Sequence, residues 1–221
     1  MDKIYTYIDP SWKPFFDEIS NYILECIRDN PNVNWEMILR CFKETPLNNV
    51  KVILFNVYNH SNIDDNDGLA FSCTTKIMPS THNIFRELQK TYPEFMFPVI
   101  GNLSNWAKQG VLLLNLQWKI NGIFIISWDV WLDKIMKYLN SHIIFLLWGR
   151  KCMDLSENIR EFASLYGKKI KILEAGHPSP IARGPFQFLG CGHFELTNEK
   201  LKKWNKEQID WTNLENKNKI L

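Results

Sequence analysis

The chain has 221 residues, 45% of them hydrophobic, and a formal net charge of +2. That is enough for one domain with a substantial core, and it excludes a basic field spread over the whole surface. Any nucleic-acid surface therefore has to be a local patch. Nine Trp and 14 Phe read mainly as core. The five cysteines, odd in number and scattered, include no C-x-x-C pair and no matching His spacing. They read as reduced, mostly buried thiols, with no metal or cluster. The first residues lack the basic-then-apolar layout of a signal peptide. The apolar runs at 122–128 and 143–148 are too short to span a bilayer.

In chain order, Ser11 is placed to cap a helix running to about Arg28, with Pro14 tolerated in the first turn. Phe15, Ile19, Tyr22, Ile23, Cys26 and Ile27 give that helix an apolar stripe. A second helix follows Asn34 through Trp35, Ile38, Leu39 and Phe42 and stops at Pro46. Val50-Lys51-Val52-Ile53-Leu54-Phe55 reads as a strand, and a polar loop over 56–67 leads into Gly68-Leu69-Ala70-Phe71-Ser72. Helix returns over 84–92. Trp106-Ala107-Lys108-Gln109-Gly110 is a turn feeding the buried strand Val111-Leu112-Leu113-Leu114, which ends on Asn115. Ser127 is placed to cap a helix carrying Val130, Trp131, Ile135 and Leu139. Residues 143–149 form a third strand, followed by a helix to about Tyr166. Residues 169–174 form a fourth, ending at Ala175-Gly176-His177-Pro178-Ser179-Pro180, and a lysine-bearing helix over 195–204 completes the body. Strands alternating with helices predict a single α/β domain over 1–221. It is expected to have three layers, α/β/α, with a central, mostly parallel four-stranded sheet.

A parallel sheet gathers the carboxyl ends of its strands on one edge, where open α/β sheets bind ligands. Asn115 offers one donor and one acceptor for an amide or imide edge. Phe71 offers a flat face for a planar ring. His177, in a turn stiffened by Pro178 and Pro180, can donate to negative charge developing on an oxygen. Ser72, Ser80, Gly149 and Ser179 are small enough for close approach to phosphates. Each alone is equally a core or solvated residue; their joint arrangement carries the reading.

The chain resembles the uracil-DNA glycosylases of the most widespread family. The resemblance rests on Trp106–Asn115, Gly68-Leu69-Ala70-Phe71-Ser72, Leu146-Leu147-Trp148-Gly149, His177-Pro178-Ser179-Pro180 and Gly190-Cys191-Gly192-His193-Phe194, in the family's order. It runs from Ser11-Trp12-Lys13-Pro14 to Ile209-Asp210-Trp211. It implies a groove that pinches phosphates and flips a nucleotide out of the stack. Phe71 would stack on uracil, Asn115 would read its polar edge in preference to cytosine, and His177 would act as a neutral donor to the departing base. Ile181 stands at the family's wedge position. Met78-Pro79-Ser80, Gly149-Arg150 and Ser179 match the phosphate-pinching loops, with Arg183 beside them. Arg150 is either an added phosphate contact or an ordinary exposed arginine.

The family's water-activating loop reads Gly-Gln-Asp-Pro-Tyr-His, and Asn56-Val57-Tyr58-Asn59-His60-Ser61 occupies its place. Tyr58 stands at the catalytic aspartate, and His60 at the tyrosine that rejects thymine. His60 and Val57 are expected beside the base. No small shift restores a carboxylate, and Asp64, Asp65 and Asp67 read as a solvated acidic turn. Losing a positioned carboxylate removes roughly 10²–10⁴ in rate, so weak or absent excision is expected. Two alternatives stand beside it. One is an active enzyme using His60 or a loop acid as its base. The other is a non-catalytic partner in a replication complex. The expected ligand is uracil-containing DNA, single- or double-stranded, without cofactor, metal or membrane. A monomer in the cytoplasm, or in the nucleus of a eukaryotic host, is expected.

Overall fold

The computed structural model describes residues 1–214. Its centre is one sheet in the order β3-β2-β1-β4-β5, built from β1 (Val52–Tyr58), β2 (Val111–Ile120), β3 (Ile123–Ser127), β4 (Ile143–Trp148) and β5 (Ile170–Ala175). β2, β1, β4 and β5 run parallel, and β3 is antiparallel on β2. The sheet thus has five strands, where four were expected. The added edge strand is a hairpin around Asn121 and Gly122, whose φ values of 51° and 80° are both left-handed. That is the type I′ geometry, whose twist matches the flanking strands.

The hairpin also moves two predicted features. β2 continues to Ile120, so Asn115 lies within the strand and not at its end. Ser127 closes β3 and its hydroxyl donates to the Asp129 carboxylate, so it does not cap a helix. A 3-10 turn over Asp129–Trp131 leads from there into helical structure.

The helices are α1 (Asp2–Tyr5), α2 (Lys13–Glu18), α3 (Ser20–Asp29), α4 (Trp35–Glu44), α5 (Pro79–Thr91), α6 (Ser104–Lys108), α7 (Leu132–Tyr138), α8 (Arg150–Met153), α9 (Ser156–Leu165) and α10 (His193–Lys203). The expected helix from Ser11 is two helices broken at Ile19, which is buried. Ser11 is not its cap: Asp9 accepts from the Ser11 N–H, and the Ser11 hydroxyl is engaged by Asp9 and by the Leu47 N–H. Asn34 does cap α4, accepting from the Met37 N–H at 3.1 Å. Pro79 opens α5 five residues before its expected start, a position where its missing N–H costs nothing.

Alternation along β1 sends Ile53 and Phe55 to one face, under α7 and α9, and Val52 and Leu54 to the other. Helices cover both faces, so every residue of β4 is buried, as a parallel strand requires. Edge-to-face aromatic pairs fix the helical layers, with Trp12 and Phe42 at 4.9 Å and Trp106 and Trp211 at 5.0 Å between centroids. Among the described residues, no helix is long and apolar enough to cross a membrane.

Candidate functional site

Phe71 is held by the strands beneath it. The Ala70 N–H donates to the Leu113 carbonyl at 3.1 Å, pinning the 68–72 loop to β2 just before Asn115. Phe71 itself has φ = 62°, a left-handed conformation that is an outlier for a bulky side chain. Such strain persists only where the surroundings over-determine it. Here the Thr81 hydroxyl donates to the Phe71 carbonyl at 2.5 Å, and the Ser72 hydroxyl donates to Asp67 at 2.6 Å while accepting from the Leu103 N–H at 3.0 Å.

Asp67 is in turn held by Arg40, which lies 3.4 Å from its carboxylate and donates to its carbonyl at 2.7 Å. Burial pushes the Asp67 carboxyl up, against the bonds from Ser72 and Arg40 that favour its charge. Gly68 completes the clamp: at φ = +98°, an added Cβ would lie 2.3 Å from the Met37 carbonyl oxygen. Ser72 is therefore buried and fully engaged inside the loop.

His177 follows β5. Its Nδ1 accepts from the Ser179 N–H at 3.0 Å, which assigns the proton of the neutral ring to Nε2. Burial lowers the His177 pKa from its ordinary 6.5, so the ring is neutral at pH 7. Asn83 on α5 donates to the Pro178 carbonyl at 2.8 Å and fixes the turn. Gly149 makes room for the imidazole, because a Cβ there would lie 2.9 Å from the His177 Cβ. The Phe71 and His177 rings stand 5.8 Å apart.

These pieces enclose a cleft of ≈ 330 Å³, sized for a small ligand. Of the expected site residues, Phe71, Asn115, His177, Tyr58, His60, Ser72, Pro79, Ser80 and Ser179 line it. Val57 does not; it packs against the core. Gly149, Arg150 and Arg183 line an adjoining recess that shares His177. Ile181 is 78% exposed on the loop after Pro180. Arg150 is exposed and paired with Asp154 at 3.0 Å.

Tyr58 reaches outward. Lys151 donates to its phenol oxygen at 3.0 Å, and the Lys119 and Lys151 ammonium groups sit 4.6 and 4.8 Å from its ring centre. The Lys151 hydrogen bond draws the phenol below its ordinary pKa of 10.0. Of the acidic turn, Asp64 is exposed as expected, whereas Asp65 and the Asp67 side chain are buried. The Asn62-capped 3-10 turn Ile63–Asp65 folds Asp65 into the cleft wall, buried and 2.7 Å from Lys76, which holds its carboxyl below the ordinary 3.8. His60 is exposed, and its Nδ1 accepts from the Asn62 N–H at 3.2 Å.

Sequence reading missed the roles of Asn56, Arg40, Thr81 and Asn83, and took Asp65 as solvated. Arg40 had a signal, being a charge within the buried run Ile38, Leu39, Cys41, Phe42 of α4. The Gly190-Cys191-Gly192-His193 segment supports the site from below. The Glu87 carboxylate accepts from the Gly190 and Gly192 N–H groups at 2.5 and 2.9 Å, and Trp148, which packs on Phe71, donates to His193 Nδ1 at 2.9 Å.

Burial takes the His193 pKa from 6.5 down to about 4. Between those values the unfolded chain binds more protons, so this stability is complete above pH ~6.5 and is lost as pH falls toward ~4. Between pH 7.5 and 5, wild type is expected to lose about 2 kcal/mol more than His193→Gln in urea unfolding. Equal losses would refute the assignment.

The family model described as "Uracil DNA glycosylase superfamily" matches residues 42–202. The chain is 34% identical over 216 residues to a uracil-DNA glycosylase of Aliivibrio salmonicida, covering 91% of this chain and 92% of that protein. It is 36% identical to a uracil-DNA glycosylase of Francisella tularensis subsp. novicida, over 90% of this chain and 93% of the relative. Its fold matches the crystal structure of mimivirus uracil-DNA glycosylase with a TM-score of 0.76 at 21% identity, covering 94% of this chain and 88% of that one.

Proposed function

Because this chain belongs to the uracil-DNA glycosylase superfamily, we propose that it binds DNA, takes a flipped uracil into the cleft, and excises it slowly. One observation carries the reading. Phe71, Asn115 and a neutral His177 with its proton on Nε2 line the same cleft. A planar face, an amide edge and an N–H donor are what a uracil ring and a departing uracil anion require. Pro79, Ser80, Ser179, Gly149 and Arg150 contact phosphates around the mouth. Ile181 fills the space left in the stack, and Arg183 lies beside the strand.

The slow chemistry follows from what occupies the loop. Tyr58 offers no carboxylate, and its phenol is bonded to Lys151. Asp65 is ionised but already neutralised by Lys76. The His60 Nδ1 lone pair is taken by the Asn62 N–H. None supplies the positioned base or negative charge worth roughly 10²–10⁴ in rate.

The test is affinity for a single-stranded oligonucleotide bearing one uracil, against the same strand with adenine in its place and no thymine elsewhere. Asn115→Ala is expected to lose roughly 10-fold in uracil affinity, since deleting one side of a buried polar contact costs about 1–3 kcal/mol. Adenine-strand affinity should change little. Unchanged uracil affinity in the variant would sink the pocket reading.

A further inference from the structure

β1 and β2 pair in parallel with Asn56 opposite Asn115. Two amide side chains therefore leave neighbouring strands on the same face of the sheet. Asn56 Nδ2 donates to the Tyr58 carbonyl at 2.5 Å and to Asn115 Oδ1 at 3.1 Å. Both donors of one NH₂ group are thus used, and turning the Asn56 amide over would lose both bonds. Asn115 is only 2% exposed and lines the cleft, and among the described residues its own Nδ2 makes no hydrogen bond. An amide donor that lines the cleft and has no protein partner is free for a ligand acceptor.

We infer that Asn56 sets which base the cleft accepts, by holding Asn115 with its oxygen toward β1 and its nitrogen toward the base. Held this way, Asn115 offers a donor to the O4 oxygen of uracil. Its oxygen keeps a second lone pair for the N3–H. Cytosine carries an amine donor at that exocyclic position and an acceptor at N3, so both contacts become mismatched. Asn56 acts as a positioning residue. Its contribution rests on the uracil reading given above, and it is a property of the amide pair, since neither residue alone fixes which end of Asn115 faces the ligand.

The inference is tested by dissociation constants for single-stranded oligonucleotides carrying one uracil, one cytosine, or neither, in an otherwise all-adenine strand. Wild type is expected to prefer uracil over cytosine by about 10-fold or more. Asn56→Ala frees Asn115 to turn, and the preference should fall to within about threefold at unchanged affinity for the adenine strand. Asn56→Asp places a carboxylate that only accepts, so Asn115 turns to donate to it and presents oxygen to the base; the preference should reverse toward cytosine. A purely structural role for Asn56 does not predict that reversal. The uracil preference persisting in Asn56→Ala overturns the inference while leaving the pocket in place. Equal uracil and cytosine affinities in wild type overturn both. A measurement on wild type alone guards against a misfolded variant: the Asn56 side-chain NH₂ protons should be protected from hydrogen exchange, and rapid exchange of both overturns the inference.

Discussion

Tyr58→Asp is expected to raise single-turnover excision of uracil from single-stranded DNA about a hundredfold. Tyr58 follows Asn56 by two residues on β1, so its side chain leaves the same face of the strand and lines the same cleft. A carboxylate there meets Lys119 and Lys151, the two ammonium groups that now flank the phenol ring. They keep it ionised but draw off part of its field, which places the gain toward the lower end of the usual 10²–10⁴. A rate within threefold of wild type would show that the missing carboxylate is not what limits the chemistry.

His177→Ala is expected to remove roughly 10²–10³ of excision, the usual loss when a donor to a developing oxyanion is deleted. The effect is best read in the Tyr58→Asp background, where the starting rate is higher. Nδ1 is occupied by the Ser179 N–H, so only Nε2 is available to the substrate. The sign of the pH dependence follows from the buried ring. Its pKa lies below the ordinary 6.5, so the neutral donor is the majority form from pH 8 down to 6.5. The rate should fall as pH drops from 8 toward acid, and fall at lower pH than for an exposed histidine, as protonation at Nδ1 breaks the Ser179 contact. An alanine variant as fast as its parent would remove His177 from the chemistry.

Much of the fold was legible because it is written in local periodicity. The apolar run Val111-Leu112-Leu113-Leu114 after a glycine is a buried parallel strand, and Asn34 before an amphipathic stripe is a helix cap. The β2–β3 hairpin was less legible. Its Asn-Gly turn is a strong signal, but β3 reads exposed, exposed, buried, buried, buried, without alternation. The register shift between Trp118 and Lys119 accounts for that broken pattern.

The site divides in the same way. Phe71, Asn115 and His177 could be named from their motifs, since each sits on or beside a strand whose type the sequence determines. Tertiary structure alone decided how they are held. The clamp on Phe71 joins Arg40, Asp67, Ser72, Thr81 and Leu103 from separate segments. The Asn56–Asn115 bond spans 59 positions and exists because two parallel strands share one register. The burial of Asp65 depends on a lysine 11 positions further on. Periodicity reports which face a residue takes on its own element. It carries no information on which side chain of another element will meet it, and that partner sets the orientation of Asn115 and neutralises Asp65.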